Sequence, residues 1–194
     1  MEDRNKRVIE TQGIKSLGDW LAKVEAIGEL KRITALVDPE LEASTITYMH
    51  GKTVGGPTLL FENIKGHPGQ RQLFNPFGSS LNRVAISIRE EPGKDAIELT
   101  RILSHKMKNR IAPKKVDAKF APVNQNIETG DQVDVTKFPA PKMWPLDGGK
   151  YIGTADAVIT KDPTNDRINL GTFRQMIQEV VVIPSAHMII CFHP

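Results

Sequence analysis

The densest grouping of chemically capable side chains in this 194-residue sequence is Asn169-Leu170-Gly171-Thr172-Phe173-Arg174. Side chains alternate along an extended strand, so Asn169, Gly171 and Phe173 share one face and Leu170, Thr172 and Arg174 the other. An amide oxygen is a neutral ligand for a cation, and a guanidinium offers forked donors to a phosphate or carboxylate. The string could therefore line an anion or metal-phosphate site, with ordinary edge-strand decoration as the alternative. Just upstream, Asp147-Gly148-Gly149-Lys150-Tyr151-Ile152-Gly153-Thr154 reads as a tight turn running into a strand. Its glycines serve backbone geometry and allow another group to approach closely.

Other chemistry has weaker support. His50, His67 and His105 have no partners at metal-ligand spacing and read as capping or surface residues. Cys191 is the only cysteine, without a pairing that would make it a nucleophile. No Gly-rich phosphate loop, Gly-x-Ser-x-Gly or His-Glu-x-x-His string is present. The basic run Arg101, Lys106, Lys108, Arg110, Lys114, Lys115 and Lys119 lacks interleaved aromatics. It reads as a solvated helix end with cations near the C-terminal dipole, not as a nucleic-acid surface.

The elements that must position these residues show in the patterning. Ser16 caps a helix carrying Leu17, Trp20, Leu21, Val24 and Ile27, and Gly28 stops it. Leu30 to Val37 reads as a strand, and Asp38-Pro39-Glu40 opens a helix over Leu41 to Met49. Thr58 to Phe61 is a buried strand, and a helix from about Asp95 to Asn109 turns Ile97, Ile102, Leu103 and Met107 inward. Residues 113–150 carry Pro113, Pro122, Pro139, Pro141 and Pro145 and predict extended, turning chain. Strands follow at Ala155 to Thr160, Ile168 to Met176 and Val180 to Ile183, the first two joined as a hairpin through Asp162-Pro163-Thr164-Asn165-Asp166. The expected fold class is α+β, with a mixed N-terminal domain over 1–115 and an incomplete β-domain over 116–194.

Composition narrows the class. With 39% hydrophobic and 25% charged residues, the chain resembles an ordinary globular protein. A net charge of +3 is too small to argue for a nucleic-acid partner. No stretch approaches the ~20 uninterrupted apolar residues of a membrane span. The charged start MEDRNKRVIETQ lacks a signal peptide's apolar region, and a lone cysteine fits a reducing compartment. A cytoplasmic location is the expectation.

Several long strings in order resemble the UbiD family of decarboxylases, which includes polyprenyl-hydroxybenzoate and phenolic-acid carboxy-lyases. They are KVEAIGELKRI (23–33), TGDQVDVTKFPAPKMWPLDGGKYIGTADAVITKDP (129–163) and INLGTFRQM (168–176). The resemblance implies that the second domain begins a split β-barrel like that of flavin reductases. It further implies prenylated FMN as cofactor, with Mn²⁺ and commonly K⁺ near its phosphate. Carried over residue by residue, Asn169 is a metal ligand and Thr172, Phe173 and Arg174 contact the cofactor. Arg174 also positions catalytic carboxylates and substrate. The implied reaction is reversible, non-oxidative decarboxylation of an aromatic or α,β-unsaturated carboxylic acid, with a protein carboxylic acid supplying the proton that replaces CO₂.

The match weakens after Met176. Family members place a histidine metal ligand shortly after the arginine, then a glutamate ligand and an acidic proton donor. His187 and His193 fall near the first offset without a recognisable family context. Glu179 is the only acidic residue beyond Arg174. The 194 residues alone are therefore expected to be inactive, as an N-terminal portion of such an enzyme. The alternative is a non-catalytic subunit or interaction module partnering a full-length relative. The expected macromolecular partners are a second copy of this chain or that relative.

Overall fold

The computed structural model describes residues 13–109, 111, 116–165, 167–178 and 187–190. The elements in chain order are α1 (Leu17–Ala26), β1 (Leu30–Ile33), α2 (Glu42–Gly51), β2 (Thr58–Phe61), β3 (Gln72–Phe74), α3 (Leu81–Ser87) and α4 (Ala96–Lys108). Short 3₁₀ turns then lead to β4 (Tyr151–Lys161), β5 (Ile168–Gln178) and β6 (His187–Ile190). This is a mixed α/β fold with two small sheets, ordered β1-β2-β3 and β4-β5-β6. Among the described residues no helix is long and apolar enough to cross a membrane.

Local chemistry explains why several elements form where the sequence predicts them. Ser16 and Asp19 make a reciprocal capping box at the start of α1, and Gly28 follows the helix at φ +76°. Every residue of β2 is buried, as suits a central strand with apolar residues in succession. Asp95 caps α4 by accepting the Glu98 amide. Asp162 stabilises the β4–β5 turn by accepting from the Thr164 amide and hydroxyl and from Asn165.

Other expectations are corrected. β1 ends at Ile33; Val37 instead forms an isolated bridge to Ile64. α2 starts at Glu42 because Leu41 adopts φ +66°, outside the helical region. In α4 the buried residue is Leu99, whereas Ile97, Leu103 and Met107 are exposed. Ile97 lies two residues from Leu99 and so off its face, whereas Ile102, three residues on, is half-buried. Leu103 and Met107, farther toward the helix end, are exposed although Leu103 is at four-residue spacing. The sequence pattern predicts neither β3 nor α3, and β6 lies at 187–190. The predicted strand at 180–183 falls outside the described residues.

Two units group by contact. The first takes residues 1–33, 47–60 and 73–116; the second takes 34–46, 61–72 and 117–194. The first has a core of Trp20, Val24 and Ile86, packed by Ile14, Leu21, Ile27, Leu30 and Leu73. Next to it lies a buried polar network. Arg83 is 1% exposed and pairs Nη1 with Glu29 Oε2 at 2.9 Å. Its other nitrogens donate to the Gly56 and Phe77 carbonyls, while Glu29 also accepts from Ser80 and Asn82. Gly78 is required here, because a Cβ there would stand 2.8 Å from the guanidinium.

The basic end of α4 is used internally. Lys106 pairs with Glu90 at 2.6 Å and donates to the Ile88 carbonyl. His50 and His67 each direct a ring nitrogen at a backbone carbonyl, of Pro57 and Lys137 respectively. Both therefore hold loops, which accounts for their positions without a metal.

In the second unit, residues 34–46 supply a clamp. The Leu41 amide donates to the Lys142 carbonyl at 2.9 Å, and Ser44 Oγ donates to the Met143 carbonyl at 2.8 Å. Farther on, the Tyr151 amide reaches the Pro141 carbonyl and the Ile177 amide the Lys150 carbonyl. Gly149 passes so close to Met176 that a Cβ would lie 3.1 Å from its side chain. These bonds fix the segment 141–150 against the start of the β4–β5 hairpin.

Candidate functional site

β4 and β5 pair antiparallel, with Asp156 opposite Phe173, Ala157 opposite Thr172 and Thr160 opposite Asn169. The register is continuous from Phe173 to Ile168, so alternation holds along that stretch. β4 carries an irregularity between Gly153 and Asp156. An extra residue there reorients the strand, as a β-bulge does. Thr154 thereby joins the face carrying Thr172 and Arg174.

That face borders a cleft of about 390 Å³ lined by Met143, Trp144, Asp147, Tyr151, Thr154, Thr172 and Arg174. The size lies within the ~300–1,000 Å³ usual for small-molecule sites. Arg174 is exposed and makes no ion pair or hydrogen bond with the described residues. Its fork of donors and the hydroxyls of Thr154, Thr172 and Tyr151 suit an anionic ligand with several oxygen acceptors. Trp144 and Tyr151 add flat apolar surface, and Met143 an adaptable thioether. Asp147 lines the cleft too, but its Oδ2 accepts the Trp144 amide at 2.9 Å. The donor set thus fits a planar, negatively charged molecule.

The sequence-predicted residues divide between the two faces. Thr172 and Arg174 meet in the cleft. Phe173 is half-buried on the opposite face, its ring lying over Gly171, where a Cβ would overlap it. Asn169 is exposed on that same face, opposite Thr160. His187 opens β6 opposite Gln178, and His193 is outside the described residues. Among the described residues no group of three or more His, Cys, Asp or Glu could hold a metal ion. Sequence reasoning missed Trp144, Tyr151 and Thr154 as partners of Arg174. The quoted string 129–163 contained all three, yet nothing in their spacing showed that the bulge would turn Thr154 toward Arg174.

Comparison with known proteins identifies the family. The family model for the 3-octaprenyl-4-hydroxybenzoate carboxy-lyase N-terminal domain matches residues 21–103, and that for its Rift-related domain matches residues 114–193. The chain belongs to the UbiD family. Among solved structures of UbiD-class and related decarboxylases, it is similar to the vanillic acid decarboxylase of Sedimentibacter hydroxybenzoicus in its open form. That match has 25% identity and a TM-score of 0.76 over 85% of this chain and 36% of the other. The UbiD-class enzyme HmfF from Pelotomaculum thermopropionicum, solved with prFMN, is 26% identical with a TM-score of 0.72, over 92% of this chain and 38% of that one. The 3,4-dihydroxybenzoic acid decarboxylase of Enterobacter cloacae matches at 25% identity and a TM-score of 0.72, over 83% and 34%. This chain therefore spans little more than a third of these UbiD-type structures.

One group on the Phe173 face is electrostatically uncomfortable. Asp156 Oδ2 is buried and has no hydrogen-bond partner among the described residues, and burial pushes its carboxyl above the ordinary aspartate value. A Cβ at Gly153 would fall on this carboxylate, so the bulge has room for it only because residue 153 is glycine. A raised folded-state pKa favours the protonated form, so the folded state loses stability as pH rises from the unfolded value through the folded one. Asp156→Asn should accordingly raise Tm at pH 7, with the gain shrinking toward pH 4. Thermal unfolding at the two pH values checks this, and an equal gain at both would rule out ionisation as the cause.

Proposed function

We propose that this chain carries the flavin-holding part of a carboxy-lyase that reversibly removes CO₂ from an aromatic or α,β-unsaturated acid without net oxidation. The carrying observation is the meeting of Thr172 and Arg174, from one strand, with Trp144, Tyr151 and Thr154 around a single cleft. Family membership supplies the reaction class, and the decarboxylase and prFMN descriptions of the related structures support the cofactor.

In this reading the cofactor is prenylated FMN, which when bound supplies an electron sink for the carbon that loses CO₂. Arg174 holds anionic groups of the cofactor and orients the substrate carboxylate through charge-assisted hydrogen bonds. Thr154 and Thr172 donate hydroxyl bonds to acceptor atoms along the same edge. Phe173 supports the site from behind β5. Asn169 is proposed as one oxygen ligand of Mn²⁺, with K⁺ as a second cation near the phosphate, and further ligands must come from outside the described residues. The β4-β5-β6 sheet is proposed as the beginning of a split barrel over 116–194, after an N-terminal domain over 1–115. A cytoplasmic location and assembly with a second copy or a full-length relative complete the proposal.

The 194 residues by themselves are proposed to bind flavin without turning over an acid. Glu179 is the sole acidic residue after Arg174, and Asp156 lies on the face away from the cleft. Among the described residues the carboxylate lining the cleft with Arg174 is Asp147, and its Oδ2 already accepts the Trp144 amide, so it is not placed as a general acid for the product. Titration of the purified chain with FMN, followed by flavin fluorescence, should show saturable binding. Incubation of the chain, loaded with prenylated FMN, with 3,4-dihydroxybenzoic and vanillic acids should give no CO₂. Absence of flavin binding would refute the cofactor assignment; measurable turnover would refute the inactivity.

A further inference from the structure

We infer that Trp144 is the aromatic wall on which the planar ring of the cleft's ligand stacks, and that Asp147 is the positioning residue that holds it there. The inference rests on the flavin reading above and extends it to residues that reading leaves without a role.

Three independent constraints fix Trp144. Pro145 follows it, and a residue before proline is steered away from helical backbone toward extended conformations. The Asp147 amide donates to the Trp144 carbonyl at 3.0 Å, closing a four-residue turn with proline at its second position, where its fixed φ is favoured. The Asp147 carboxylate then reaches back to the Trp144 amide at 2.9 Å. A second anchor lies one residue earlier, where Ser44 Oγ takes the Met143 carbonyl. The turn is thus bound at both ends, and little of its freedom remains to be lost when a ligand arrives.

The indole carried on this fixed backbone is only half-covered, with Trp144 52% exposed although it belongs to a tied-down turn. It lines the cleft together with Arg174, so a flat anionic ligand gripped by the guanidinium meets the indole as it enters. An indole buries a large area at low conformational cost and stacks well against another aromatic system. Asp147 takes no part in binding, since its carboxylate is committed to the Trp144 amide and its negative charge would repel an anion.

The test uses the full 194-residue chain labelled with 5-fluorotryptophan, which gives one fluorine resonance each for Trp20 and Trp144, assigned with Trp144→Phe. Trp20 lies in the core of the first unit and serves as an internal control. Addition of FMN should shift and broaden the Trp144 resonance and leave that of Trp20 unchanged. Trp144→Ala should weaken FMN binding about tenfold and Trp144→Phe by much less, as stacking on an aromatic ring requires. Asp147→Ala should weaken binding nearly as much, Asp147→Asn should restore it through its remaining amide oxygen, and Asp147→Ala should add nothing in a Trp144→Ala background. If FMN binds while the Trp144 resonance stays in place, the stacking inference is overturned and the flavin reading survives. If FMN does not bind at all, both fall together.

Discussion

Arg83→Met should cost the first unit about 3–5 kcal/mol, the usual penalty for removing one partner of a buried ion pair. The reason is what remains behind. Glu29 would keep its bonds from Ser80 and Asn82 but lose its paired guanidinium, the one cation paired with it among the described residues, and the Gly56 and Phe77 carbonyls would lose their guanidinium donors. Burial already pulls the Arg83 guanidinium below its ordinary value, and the neighbouring Glu29 carboxylate opposes that pull. The pair therefore compensates a desolvation cost more than it adds net attraction. It follows that Arg83→Met with Glu29→Met should recover much of the loss of the single variant, because no charge is left stranded. Urea unfolding followed by Trp20 emission in a Trp144→Phe background reports the unit that contains the network. A cost below about 1 kcal/mol for Arg83→Met would place the pair among ordinary exposed ones and refute the argument.

This network also marks where the sequence stops being informative. Glu29 and Arg83 are 54 positions apart, and each alone resembles a surface residue. Their pairing follows from how α3 packs, and α3 itself has no strong signal in its seven residues. The elements that were legible carry their own local chemistry: the Ser16–Asp19 box of α1, the four apolar-leaning residues of β2, the Asp95 cap of α4 and the Asp162 turn. The same contrast runs through the site. Thr172 and Arg174 share a face by simple alternation, so their meeting could be read from one strand. Trp144, Tyr151 and Thr154 join them only through a clamp from residues 41–44 and an irregularity in β4, which no periodicity announces.

Because the two faces of β5 are so distinct, substitution along a single strand tests the site residue by residue. Arg174→Ala should raise the FMN dissociation constant about 10- to 100-fold, since charge-assisted hydrogen bonds contribute roughly 1.5–3 kcal/mol. Arg174→Lys should restore only part of this, because an ammonium keeps the charge but not the planar fork. Thr172→Ala removes one neutral hydrogen bond worth about 1 kcal/mol, so a smaller loss of roughly fivefold is expected. Phe173→Ala acts from the other side, where its ring fills the space above Gly171, and should lower stability more than it lowers affinity. Asn169→Ala should leave FMN binding in metal-free buffer unchanged, because its side chain lies on the far face and the proposed metal is absent. The ordering Arg174, Thr172, then Asn169 is what a cleft on one face of the strand demands. Equal losses at all three positions would mean that the ligand wraps the strand edge or that the variants act by unfolding it. Thermal unfolding of each variant separates those two outcomes, and either would displace the cleft as the binding site.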